Sequence, residues 1–112
     1  MLKLEVSKSE PLEINGEKYA VHKNALEILK MVEEIKNTKT KDYIKLADDL
    51  IIKIDSILGE GAFEKLSGGQ SVSYYDLGVW FNVICQTVIT NEVDKAAKIK
   101  EDADRIIKQR YE

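Results

Sequence analysis

Gly59-Glu-Gly-Ala-Phe-Glu-Lys-Leu-Ser-Gly-Gly-Gln70 holds four of the chain's six glycines and separates two strongly patterned stretches. Before it, Tyr43, Leu46, Ala47, Leu50, Ile51, Ile54, Ile57 and Leu58 recur at spacings of three and four, the wide apolar face of an amphipathic helix. Lys45, Asp48, Asp49, Lys53 and Asp55 are expected on its solvated side. Gly59 stands where such a helix stops, since a residue just past a helix end favours a positive φ that glycine adopts without strain. Ala62–Leu66 reads as a short helical turn pinned by Phe63 and Leu66 and closed by Gly68-Gly69. Ser73, with Asp76 three residues on, has the capping-box pattern that opens a helix. That helix carries Leu77, Trp80, Phe81, Ile84 and Val88 on one side, with Val79, Val83 and Cys85 widening the apolar surface.

Upstream, Ala25, Ile28, Leu29, Val32 and Ile35 predict another helix with Asn24 as its N-cap, ended by the polar run Asn37-Thr-Lys-Thr-Lys41. The residues before Asn24 follow a period of two. Leu12-Glu-Ile14 and Tyr19-Ala-Val21 flank Asn15-Gly16, the strongest short hairpin signal, because both turn residues must take positive φ. Leu2, Leu4 and Val6 alternate with Lys3, Glu5 and Ser7, which makes residues 2–7 a candidate third strand; Pro11 falls in the connection.

Downstream of Glu92 the composition shifts. Val93, Ala96, Ala97, Ile99, Ala103, Ile106, Ile107 and Tyr111 ride among charges of both signs, a solvated helix with a thin apolar stripe. A helix of this kind is marginal alone and needs a surface to bury its stripe against: its own body, another copy or a partner helix. The candidate partner-binding residues are Val93, Ala96, Ile99, Ala103, Ile106 and Tyr111. The expected class is α+β and mainly helical: an amino-terminal β-hairpin, then about four helices, the last long and highly charged. The chain reads as one domain over 1–112, with a hairpin region at 1–23, a helical core at 24–89 and a charged amphipathic helix at 90–112.

The totals narrow the function. With 112 residues there is room for one modest core, and 44% hydrophobic with 33% charged residues is ordinary for a folded globular chain rather than a disordered one. A net charge of −3, with lysines scattered among acids, argues against duplex nucleic acid as a partner. The start, Met-Leu-Lys-Leu-Glu-Val6, lacks a signal-peptide core, and the apolar runs are too short to span a bilayer, so a cytoplasmic location without membrane association is expected.

Candidate chemistry is sparse. Leu66-Ser-Gly-Gly-Gln70 matches the signature pentapeptide of ABC-transporter ATPases, in which the serine and glycines open a helix toward a nucleotide phosphate. That role requires an acidic partner and a phosphate-binding loop, and no such loop occurs in this sequence, so the glycines read as structural. His22 is the sole histidine and Cys85 the sole cysteine, and they supply neither a metal-ligand set nor a nucleophile pair; Cys85 reads as a buried thiol. Asp48 and Asp49 splay apart on their helix, and Glu60 and Glu64 have no catalytic partner nearby. No enzyme, cofactor or metal is expected.

The hairpin Leu12–Tyr19, the paired amphipathic helices and the link Ile57-Leu-Gly-Glu-Gly-Ala-Phe-Glu-Lys-Leu-Ser-Gly-Gly69 resemble the small tail assembly chaperones of long-tailed phages and prophages of Gram-positive bacteria. The resemblance covers residues 12–90 in pattern and about a dozen positions in detail. It implies a non-enzymatic protein that self-associates and coats the long, helical tape-measure protein before the tail tube forms around it. It carries over no catalytic or ligand residue. The alternative is a small bacterial regulatory or antitoxin-type module that binds one protein through its last helix.

Overall fold

The computed structural model describes the backbone of residues 2–111 and the side chains of residues 2–108. A two-stranded antiparallel hairpin, β1 (Leu12–Ile14) and β2 (Glu17–Tyr19), is followed by α1 (Ala25–Asn37), α2 (Tyr43–Leu58), the short α3 (Ala62–Ser67) and α4 (Tyr74–Tyr111). The expected class and element order are therefore what the chain adopts.

Local chemistry accounts for the boundaries. Asn15 (φ 53°) and Gly16 (φ 84°) both take positive φ, as a two-residue hairpin turn demands, and set the register Leu12 opposite Tyr19, Glu13 opposite Lys18 and Ile14 opposite Glu17. Asn24 caps α1 in a complete capping box: its side chain accepts from Glu27 N–H at 2.9 Å, and the Glu27 carboxylate accepts from Asn24 N–H at 3.2 Å. Asp42 caps α2 through Ile44 N–H and Lys45 N–H. Gly59 ends α2 at φ 108°, ψ 156°, a region that only glycine occupies without strain. A methyl group there would stand 3.4 Å from the His22 ring, whose own backbone N–H donates to Ile57 C=O at 2.7 Å. Helix end and hairpin exit are thus fastened together.

The core is built where α1, α2 and α4 meet. Ile28, Ile54, Ile57 and Leu77 are essentially inaccessible, surrounded by Leu50, Leu58, Ala62, Phe81, Ile84, Cys85 and Val88. The hairpin adds Leu12, Tyr19 and Val21 to the same cluster. Trp80 sits half-buried at its margin with Phe63 tilted against it, ring centres 6.2 Å apart.

Three expectations need correction. Lys53 was expected on the solvated side of α2 but is buried; its Nζ lies 2.8 Å from Asp49 and 3.5 Å from Glu34 of α1. The aliphatic stem fills space between the helices while the ammonium reaches carboxylates at the surface. Asp55 is half-buried and turned inward, accepting from Phe63 N–H at 2.8 Å, and so supplies the start of α3 with a cap that Gly61 cannot. Residues 2–7 do not form a third strand; Leu2, Leu4 and Val6 are 91–95% exposed. Ahead of β1, residues 6–9 line a recess together with residues 20–24, which follow β2.

Replacing Ile57 by alanine empties fully buried volume, so Ile57→Ala should lower unfolding free energy by about 2–5 kcal/mol in urea titrations. Gly59→Ala should cost about 1 kcal/mol or more in the same measurement, through its positive φ and the His22 contact.

Candidate functional site

The candidate surface lies on α4. At 38 residues this helix is about 57 Å long, and it nearly spans the 61 Å longest dimension of the molecule. It is continuous: the charged stretch from residue 90 to Tyr111, whose continuity with the helix before it the sequence leaves open, extends the helix that starts at Tyr74. Its first half is core. Successive helical residues turn by about 100°, so Leu77, Phe81, Ile84, Cys85 and Val88 fall within about 100° of arc and face α1 and α2.

The packed section closes with two polar contacts. Glu92 accepts from Ala25 N–H at 2.8 Å, satisfying one of the free amides at the start of α1. Lys95 lies 3.8 Å from Glu10. From Val93 to Lys108 every residue is exposed. The body therefore does not cover the last four to five turns, and the option of docking on its own body is not the one taken. These turns remain helical because the packed half supplies the nucleus that an isolated helix of this length lacks.

The six predicted residues fare differently. Ala96, Ile99, Ala103 and Ile106 lie within about 80° of arc, in line with the buried face of Leu77–Val88. They form a bare continuation of the core seam. Ile99 is 70% and Ile106 64% exposed. Val93, 59% exposed, stands about 60° round from Ala96 at the stripe's edge. Tyr111 belongs to α4, but its side chain lies outside the described residues. Ile107, left off the predicted set, is 55% exposed and broadens the stripe on the same side as Val93; its position next to Ile106 was the available signal. Charges of both signs flank the surface, with Asp102 and Arg105 paired at 3.8 Å.

The glycine-rich pentapeptide is built the opposite way from a phosphate site. Ser67 is the last residue of α3, not the first of a helix. Its hydroxyl donates to Glu64 C=O at 3.2 Å and accepts from Gly69 N–H at 3.3 Å. Gly68 and Gly69, at φ 62° and 78°, close the helix. His22 is exposed, and among the described residues no group of three histidine, cysteine or acidic side chains is placed to hold a metal ion. Tyr75 and Tyr74 are both exposed, and Tyr74 meets Tyr43 edge-on at 5.5 Å. No described helix is long and apolar enough to cross a membrane.

Cys85 is buried on the core face, and loss of hydration pushes its thiol from 9.0 up to about 12. No family model, curated protein or solved structure matches the chain.

The folded protein holds the Cys85 proton more tightly than the unfolded chain, so stability should fall as pH rises from 9 toward 12. Denaturation midpoints should show this slope in the native sequence and a shallower one in Cys85→Ala. At pH 8 a disulfide reagent should react with Cys85 only after unfolding.

Proposed function

We propose that the protein is a non-enzymatic assembly chaperone that uses the bare half of α4 to coat an extended helical client, the tape-measure protein of a phage or prophage tail. One observation carries the reading: Ala96, Ile99, Ala103 and Ile106 form an apolar stripe on a helix held away from its own body. Small and large side chains alternate along it, a surface onto which a second helix fits with ridges in grooves. Burying the two isoleucines contributes roughly 3–6 kcal/mol before ordering costs are subtracted. A single contact of that size is weak, and many copies along one long client hold it by adding such contacts. Weak individual contacts also suit a coat that must leave when the tail tube forms.

The test is binding of purified protein to helical fragments of the tape-measure protein encoded in the same prophage, measured by titration calorimetry. Ile99→Asp with Ile106→Asp should weaken binding at least about tenfold while the thermal midpoint changes little, because both side chains are already in solvent. Indifference of the native protein to every such fragment would overturn the proposal, and so would unchanged binding by the double variant.

A further inference from the structure

We propose that the chain joins to copies of itself by strand exchange: residues 2–7 of one molecule enter the groove beside β1 of the next. This does not depend on the nature of the client. Both halves of the joint are present in one molecule.

The acceptor is the open edge of a two-stranded sheet. β1 pairs with β2 alone, leaving its other edge unpartnered among the described residues. With a two-residue turn, Ile14 and Glu17 form the hydrogen-bonded pair next to the loop, and the pattern alternates from there. Glu13 therefore directs its amide and carbonyl outward along the free edge. Beneath that edge is a groove of about 500 Å³ whose wall is β1 from Pro11 to Asn15 and whose floor includes Leu66, Trp80, Val83 and Ile84. Val83 is 56% exposed. An open strand edge above an apolar floor is what an added strand needs: main-chain partners on one side and a place for every second side chain below.

The donor is Leu2-Lys-Leu-Glu-Val-Ser7. Leu2, Leu4 and Val6 have the period of a half-buried strand yet are 91–95% exposed. The sequence specifies a strand and the monomer gives it no sheet.

The geometry of the chain selects a second copy over the chain's own groove. Residues 6–9 line a recess with residues 20–24, which follow β2. Ser9 donates to Lys23 C=O at 3.4 Å, and Glu10 lies 3.8 Å from Lys95. Pro11 biases Glu10 toward extended backbone. Folding back onto β1 would break these contacts and force a reversal just ahead of the proline. A neighbouring molecule's segment meets no such obstacle.

Charge sets the register. With Leu2 and Leu4 turned to the floor, Lys3 lies on the outer face opposite Glu13, an attractive cross-strand pair, whereas a shift of two residues would set Glu5 against Glu13. Donor and acceptor are different surfaces, so the contact is head-to-tail and propagates into a ring or a filament.

Light scattering over a range of concentrations tests this, run in the Ile99→Asp/Ile106→Asp background so that association through α4 is silenced. That protein should grow in mass with concentration. Leu2→Asp with Leu4→Asp (donor blocked) and Val83→Asp (acceptor blocked) should each raise the concentration for assembly at least about tenfold while retaining helical circular dichroism. Thr87→Arg, at the lip of the same groove, is a second acceptor block should Val83→Asp fail to fold. Mixing the two blocked proteins leaves one intact donor and one intact acceptor, so they should form a one-to-one pair that grows no further. A monomer at all concentrations, assembly indifferent to the donor substitutions, or regrowth of long assemblies on mixing would each overturn the proposal.

Discussion

How far the body reaches along α4 governs the rest of the molecule. The seam of Ile28, Ile54, Ile57 and Leu77 is where α1 and α2 close on α4, and its burial is the main source of tertiary stability. The layer ends at Glu92, where the amino end of α1 sits on the carboxylate. α4 does not end there. A buried face thus becomes a bare one within a single turn, with no change in the backbone. The core and the candidate binding surface are two parts of one apolar line, distinguished by whether the chain has anything left to cover them.

Much of the fold was legible because its signals are local. The Asn15-Gly16 turn, the Asn24 cap with Glu27, the period of α2 and the stop at Gly59 all depend on residues within a few positions of one another. What escaped depends on distant partners. Lys53 looked like a surface cation until Glu34 and Asp49 were placed beside it, and Asp55 until Phe63 N–H was brought to its carboxylate. The continuity of α4 stays open in the sequence because charge rises near Glu92, although neither glycine nor proline interrupts the sequence after Gly78. The stripe itself was legible from spacing; its exposure was not, since an amphipathic helix reads the same whether or not its own body covers it.

The pentapeptide Leu66–Gln70 shows why direction matters as much as composition. An anion is drawn to the end of a helix where amides point outward. Here the serine and glycines stand at the other end, and their hydrogen-bonding groups close α3. The same letters, reached from the opposite end of a helix, make a corner. Asp55 of α2 caps the start of that corner, and Phe63 within it lies against Trp80 of α4.

An unbroken helix also fixes a length. The stripe lies on the side of α4 that the body occupies, so anything laid along it meets the body at Glu92. The bare section from Val93 to Lys108 is about 24 Å. On the proposed function the molecule would act as a gauge with a stop: each copy would mark off the same short interval of its client, and spacing would be set by the protein rather than by repeats in the client's sequence.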